Sequence, residues 1–189
     1  MNTLLISSVV AFSLAASSFA AGPAVRKAPD LMIQAVNSKL PTLASYKGKV
    51  VALEFILTTC SHCQQSCVTL NKLHREFGAQ GFTPIAVAIN ENANLYIEDF
   101  VKKFGITFPV GWQRSETAVS FLQHPAMERL MMPQIVFIDR EGVIRSQFPG
   151  SDKFFEEAQE ANMRDQIKTL LGPPAGAAKK AAPAAAKKK

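Results

Sequence analysis

Residues 50–57 are apolar at every position except Glu54 and are rich in β-branched side chains. So short and so apolar a run predicts a strand covered on both faces. Lys47-Gly48-Lys49 is the turn that leads into it. A helix is predicted from Cys60 to about Gln80, closed by Gly78 and Gly81. A second strand of the same buried type follows at 83–89, and then a helix at 95–104 that stops at Gly105. Residues 108–110 read as a short extended piece and 116–130 as helical turns. The runs 134–138 and 143–148 flank Asp139-Arg140-Glu141-Gly142, a hairpin signal. An amphipathic helix is predicted over 154–171, ahead of Gly172-Pro173-Pro174. Upstream, 28–37 reads as an opening strand and turn. The order is β, β, α, β, α, β, β, α. Parallel crossovers followed by an antiparallel hairpin predict an α/β fold, a mixed sheet with helices on both faces. There is no internal repeat and no Gly-rich phosphate loop.

The two ends break this pattern. Residues 4–16 are an apolar run too short to span a bilayer comfortably. Ser18-Phe19-Ala20 follows as a small-x-small cleavage pattern, so 1–20 is expected to be a signal peptide, or else a retained membrane anchor. That predicts a periplasmic or secreted protein, where cysteine pairs meet oxidising conditions. Residues 172–189 are a low-complexity Ala/Pro/Lys segment with no large apolar side chain, expected to be a disordered tail. Its five lysines (Lys179, Lys180, Lys187, Lys188, Lys189) supply most of the chain's net charge of +6. The rest carries 16 basic against 15 acidic residues. No nucleic-acid partner is therefore expected of the folded part. The tail fits a solubilising role or an electrostatic association with an anionic surface.

Only three cysteines are present, too few for a disulfide framework. Two of them form Cys60-Ser61-His62-Cys63, placed where a buried-type strand ends and a helix begins. A two-residue gap puts both sulfurs within one helical turn, close enough for a disulfide. The helix N-terminus presents N–H groups and partial positive charge to Cys60, which favours thiolate. Cys63 lies deeper and suits a resolving thiol. A protonated His62 would stabilise the thiolate further and make the disulfide a better oxidant. A structural zinc site usually needs a second ligand pair, and none is spaced as one.

With these residues in hand, Ala28-Pro29-Asp30, Lys47-Gly48-Lys49-Val50-Val51, Cys60-x-x-Cys63, Met132-Pro133 and Phe137-Ile138-Asp139-Arg140-Glu141-Gly142 together resemble the TlpA/ResA-type thioredoxin-like proteins. These belong to the redoxin (AhpC/TSA-like) branch of the thioredoxin fold. The resemblance covers about 28–171 and implies a thioredoxin-like domain there. It implies an exported, often membrane-tethered, thiol–disulfide oxidoreductase that needs no organic cofactor and no metal. Its partners would be protein thiols or disulfides and a redox partner protein. Many members reduce apocytochrome c or other extracytoplasmic disulfides. The Pro matching Pro133 is cis in that family, so Pro133, with Met132 before it, is expected to shape the substrate groove. Glu54, six residues before Cys60, matches the buried acid of thioredoxin, a proton acceptor for the resolving thiol. Burial would raise its pKa toward the working pH; the other reading is a solvated acid on a strand edge.

The chain also departs from the family. Thr59 stands where Trp usually precedes the first Cys, and Ser-His replaces the Pro-containing pair of many reductases. A His before the second Cys is similar to the oxidising DsbA motif. Thioredoxin and DsbA sit at about −270 and about −120 mV, so reductant and oxidant both remain open. The peroxiredoxin P-x-x-x-[ST]-x-x-C frame is absent.

Cys67 has two readings. It falls on one helix face with Leu70, His74 and Phe77, as a core thiol would. Alternatively, Cys63-Gln64-Gln65-Ser66-Cys67 has the Cys-x3-Cys spacing of the Sco copper chaperones, with His124 as a third ligand. That alternative would make the protein a copper-binding member of the fold using Cys60, Cys63, Cys67 and His124. A third reading is a redox-silent binding domain localised by the tail. Met127, Met131 and Met132 beside Pro133 read as packing or as a pliable binding lip.

Overall fold

The computed structural model describes residues 25–35 and 42–173. The expected signal segment at 1–20, and the basic tail from 174 onward, lie outside the described residues. No described helix is long and apolar enough to cross a membrane.

A six-stranded mixed sheet forms the centre, in the order β1-β6-β5-β2-β3-β4. Its strands are β1 (Arg26–Lys27), β2 (Val50–Ile56), β3 (Phe82–Ala88), β4 (Val110–Trp112), β5 (Gln134–Ile138) and β6 (Val143–Pro149). The helices are α1 (Ser61–Phe77), α2 (Ala93–Phe104), α3 (Ser115–Leu122) and α4 (Gln159–Leu171). β2 runs parallel to β3 and antiparallel to β5. β5 pairs antiparallel with β6, so the expected crossover and hairpin are both present, and β2 sits at the middle of the sheet.

Strand periodicity divides the core in two. Val50, Ala52 and Ile56 of β2 join the cluster that α1, α2 and α4 cover. Val51, Leu53 and Phe55 join the opposite cluster, under α3 and the segment carrying Leu31 and Ile33. Alternate residues of a strand point to opposite faces, so a run apolar at every position but Glu54 is what two covered faces require. Glu54 belongs by parity with Val50, Ala52 and Ile56, beneath α1.

Several elements differ from the sequence expectation for local reasons. The opening strand is short: β1 pairs with β6 at Arg26 and Lys27, and Gln34 makes an isolated bridge to Trp112. The helix expected to reach Gln80 stops at Phe77, and a 3-10 turn, Gly78–Gln80, completes the descent. Gly81 closes that turn at φ 98°, a left-handed conformation that only glycine adopts without strain. The 108–110 piece is displaced by two residues and becomes β4. The turns expected over 116–130 form a helix only to Leu122, because His124 precedes Pro125, and a pre-proline residue disfavours the helical region. The final helix is broken. Asp152 Oδ1 accepts from Phe154 N at 2.8 Å and starts a 3-10 turn, which seats Phe154 flat on Phe148 at 3.9 Å between ring centres. Helix geometry resumes at Gln159.

Pro84 is tolerated inside β3. Ala86 N donates to Pro109 O, so the backbone nitrogens of that parity point toward β4. β4 begins pairing only at Ala86, and the missing N–H of Pro84 interrupts no ladder.

Asn71 ties α1 to the α2–β4 connection. Its Nδ2 donates to Gly105 O at 2.8 Å, and its Oδ1 accepts from Thr107 N at 2.9 Å and Thr107 Oγ1 at 2.8 Å. The residue is 2% exposed, whereas Gly105 and Thr107 are exposed, so truncation loses three hydrogen bonds across this junction. Asn71→Ala is expected to lower stability by about 2–4 kcal/mol, read as a fall in the denaturant midpoint at unchanged slope.

Candidate active site

β2 ends at Ile56, and the chain turns through Leu57–Cys60 into α1. This junction is pinned from several sides. Thr58 N and Thr58 Oγ1 both donate to Asn90 Oδ1, at 3.0 and 3.3 Å, beyond the end of β3. Gln64 Nε2 donates to Thr58 O at 2.9 Å, and Cys60 N donates to Leu57 O at 3.1 Å. Cys60 is the N-cap residue of α1, with an extended backbone, and its carbonyl accepts from Gln64 N at 3.0 Å. Its side chain is therefore delivered to the helix N-terminus, where the dipole and free N–H groups favour negative charge.

The two sulfurs differ in environment. Cys60 is partly exposed, and Cys63 is fully buried one turn further in. Cys63 Sγ accepts from Leu57 N at 3.5 Å. Burial pushes the Cys63 thiol well up, and its hydrogen bond to the Cys60 sulfur and the nearby Glu54 charge push it further. Its proton is held on Cys63 while Cys60 faces solvent. All three described cysteines are free thiols.

Glu54 is buried at 0% exposure, so the strand-edge reading is excluded. Ser66 Oγ donates to its Oε1, and Cys67 Sγ donates to its Oε2 at 3.6 Å. Burial raises the carboxyl to about 8, against the lowering pull of these two donors. Cys67 is a core thiol, as the first of its two readings has it, and its own pKa is raised by burial and by the Glu54 charge. The structure brings Glu54 under Cys63 electrostatically. The hydrogen-bond partners of Glu54 are Ser66 and Cys67.

Met132 and Pro133 stand just before β5. Gln134 pairs with Phe55, so the start of β5 lies at the same sheet end as the Cys60 junction. The Met132–Pro133 peptide bond is cis, as the family resemblance implies. Gln134 Nε2 donates to Met131 O at 2.7 Å, and Gly150 N donates to the same oxygen at 3.1 Å. A Cβ on Gly150 would sit 2.4 Å from the Met132 carbonyl carbon, so only glycine lets β6 end against this loop. Met131 and Met127 are exposed beside it, at 41% and 97%.

The remaining candidates sit elsewhere. His62 is exposed and lines a groove of about 340 Å³ with Phe155, Glu156, Glu157 and Glu160, a groove to which neither Cys60 nor Cys63 contributes. His124 shares a hydrogen bond with Glu128 O at 3.1 Å in the loop after α3. Among the described residues, no group of three His, Cys, Asp or Glu side chains is gathered to hold a metal. Of the residues in the copper reading, Cys67 donates to Glu54 and His124 bonds Glu128 O in a separate loop. A cavity of about 550 Å³ lies at the opposite end of the sheet, lined by Tyr46, Lys49, Val51 and Ile138.

Sequence reasoning missed Ser66, Asn90, Gln134 and Gly150. Only Ser66 carried a signal. It stands at Cys63+3 beside Cys67 at Cys63+4, the spacing that puts side chains on one helix face.

Comparison with known proteins follows the same lines. The Redoxin family pattern matches residues 23–167. Thiol-disulfide oxidoreductase ResA of Geobacillus thermodenitrificans is 27% identical over 151 residues, covering 78% of this chain and 83% of the relative. ResA of Bacillus anthracis is 26% identical over 151 residues, with the same coverage. The crystal structure of a protein from Chlorobium tepidum, described as a thiol:disulfide interchange protein DsbE, superposes with a TM-score of 0.66 at 25% identity. It covers 77% of this chain and 96% of that one. A DsbF homologue from Corynebacterium diphtheriae shares the fold, with a TM-score of 0.62 at 21% identity over 79% of this chain and 94% of that one.

The buried carboxyl makes stability depend on pH. Its pKa rises from an unfolded value of about 4.3 to about 8 in the folded chain. Between those values the folded state holds a proton that the unfolded state has lost, so stability falls as pH rises. Glu54→Gln, which keeps an acceptor for Ser66, removes this dependence. Its melting temperature relative to the unmodified chain is expected to climb steadily from about pH 5 to about pH 8 and to level off above. A constant difference across that window would contradict the assignment.

Proposed function

Because the chain belongs to the redoxin family, we propose that it is a thiol–disulfide oxidoreductase whose exchange centre is Cys60 and Cys63, acting on protein partners. The observation that carries this reading is the unequal pair at the head of α1, with one sulfur partly exposed at the N-cap and its neighbour fully buried, where desolvation disfavours the thiolate.

In the reducing direction, the Cys60 thiolate attacks one sulfur of a partner disulfide. The partner S–S bond breaks, a Cys60–partner bond forms, and the second partner sulfur leaves as thiolate. Cys63 then attacks the Cys60 sulfur. As its S–H bond breaks, the proton passes to the Glu54 carboxylate, the Cys60–Cys63 bond forms, and the partner's first sulfur leaves. The partner gains two electrons and the Cys60–Cys63 pair loses them. Run backwards, the same steps donate a disulfide. Neither direction needs an organic cofactor, only a redox partner that restores the pair.

Each neighbour has a role in this reading. Asn90 and Gln64 hold the junction that presents Cys60. The cis Met132–Pro133 loop, braced by Gln134 and Gly150, forms the wall against which a partner segment lies. The exposed Met131 and Met127 offer that segment a pliable apolar lip. His62 adds a titratable group at the mouth of α1. The N-terminal apolar run with its Ser18-Phe19-Ala20 pattern supports action in the periplasm or outside the cell. The lysine-rich segment supports association with an anionic surface, apart from the exchange chemistry.

Insulin reduction with dithiothreitol as electron donor tests the centre. Cys60→Ser is expected to abolish turnover above background. Cys63→Ser is expected to accumulate a covalent adduct with a cysteine-containing partner, seen on a non-reducing gel and dissolved by reductant. Turnover surviving in Cys60→Ser would overturn the assignment. The reduction potential of the Cys60–Cys63 couple then assigns the direction of electron flow.

A further inference from the structure

Cys63, Ser66 and Cys67 lie at i, i+3 and i+4 on α1, so all three side chains face the sheet on the same turn. Each is buried at 0% exposure. The position they face on β2 is Glu54, which pairs in register with Ala86 of β3 and Ile135 of β5. No charged side chain approaches from those strands. The buried residues of α4 in this layer are Met163, Ile167 and Leu171. The titratable groups facing Glu54 are thus Cys63 and Cys67, both from α1, and both neutral while their thiols are protonated.

Among the described residues, no cation approaches this carboxylate to stabilise it. Its charged form depends on hydrogen-bond donors. Two are present, one for each oxygen: Ser66 Oγ on Oε1 and Cys67 Sγ on Oε2 at 3.6 Å. A hydroxyl is a full donor, whereas a thiol is a weak one.

We infer that Ser66 and Cys67 are positioning residues of the exchange reaction: their donors on the two Glu54 oxygens favour the carboxylate and so lower the pH at which Glu54 becomes able to receive the Cys63 proton. The inference rests on the reading of Glu54 as proton acceptor and adds the groups that set its basicity. It also gives Cys67 a purpose, as a donor rather than a third redox thiol. Donation to the carboxylate opposes the rise that burial causes, which leaves the group near the working range of pH. Remove the Ser66 hydroxyl and burial acts with less opposition. Glu54 then stays protonated to higher pH and cannot accept the Cys63 proton where it did before.

The test isolates the resolving step. Ellman's reagent is mixed with the reduced full chain in a stopped-flow instrument. Attack by Cys60 releases one coloured thiolate at a rate that scales with reagent. Attack by Cys63 on the resulting mixed disulfide releases the second at a rate independent of reagent. That second rate is followed against pH. In the unmodified chain it is expected to rise through a midpoint and reach a plateau. Ser66→Ala is expected to move the midpoint up by about one pH unit with the plateau retained. Ser66→Thr, which restores a hydroxyl, is expected to return it toward the starting value. Cys67→Ala is expected to move it up by less, and Cys67→Ser to leave it at or below the starting value. A midpoint unmoved in both Ser66→Ala and Cys67→Ala overturns the inference.

Glu54→Gln separates the two levels. If it abolishes the midpoint while Ser66→Ala leaves the midpoint in place, Glu54 keeps its role and only the positioning role is lost. If Glu54→Gln leaves the midpoint unchanged, the proton-acceptor reading itself is wrong. Should Ser66→Ala fold poorly, infrared titration of the Glu54 carboxyl band in Ser66→Cys, which puts a weaker donor on Oε1, and in Cys67→Ala, each against the unmodified chain, reads the same upward shift without turnover. No displacement in either variant overturns the inference.

Discussion

A carboxylate buried in the middle of the sheet is the constraint around which the site is arranged. Glu54 interrupts the series Val50, Ala52, Ile56 on the face that α1 covers. An ionised carboxylate there is costly unless it is neutralised or hydrogen-bonded. The fold responds on α1, which runs over this face and places Ser66 and Cys67 on the two carboxylate oxygens. The same helix presents Cys60 at its N-terminus. The demand made by the buried acid and the demand made by the exposed sulfur thus meet in a single element. A rotation of α1 by one residue would break both.

The unequal treatment of the two sulfurs follows from helix geometry. The N-cap position faces solvent and the helix N-terminus, whereas a residue three further on points at the sheet. Cys60 is placed for attack and Cys63 for concealment. The backbone N–H of Leu57 directed at Cys63 Sγ favours a sulfur that carries charge, yet burial outweighs that single donor and the proton stays. A resolving thiol that ionised early would compete with Cys60 for the partner. Burial prevents this without any added group, and in the proposed reaction the buried Glu54 supplies the missing acceptor only when Cys63 attacks.

Much of the fold was legible in the sequence because both of its main signals are strong. Runs at β2 and β3 that are apolar but for Glu54 and Thr83 need two covered faces, and the Asp139-Arg140-Glu141-Gly142 turn needs a hairpin. The Cys60–Cys63 pair was equally plain. What escaped were features settled by tertiary contact. The last helix broke because Phe154 gained more by stacking on Phe148 than by continuing a helix. The face of Glu54 could be settled only when α1 was seen to lie over the even-numbered positions of β2. Asn90, Gln134 and Gly150 act through backbone approach and loop bracing, which leave no periodicity to detect. The two readings of Cys67 divide on similar grounds. Spacing alone allows Cys67 either fate, and the deciding fact is a carboxylate contributed by a distant strand.

That last point bears on why a third cysteine would be retained in a redox centre at all. A second buried thiol one turn from the resolving sulfur invites a wrong disulfide, and a chain exposed to oxidants would gain by losing it. An alanine or valine would fill a comparable space with no such risk. The hydrogen bond from Cys67 to Glu54 offsets the hazard, because an apolar replacement would leave one carboxylate oxygen without a donor in the core. The geometry also limits the risk. Residues four apart on a helix keep their Cβ atoms about 5–6 Å apart, whereas a disulfide needs about 3.5–4.5 Å. The Cys63–Cys67 bond is therefore disfavoured as long as α1 stays wound. Cys60, at the N-cap with an extended backbone outside the helical winding, is the partner not held to that spacing. The helix that conceals Cys63 also decides which sulfur it may join.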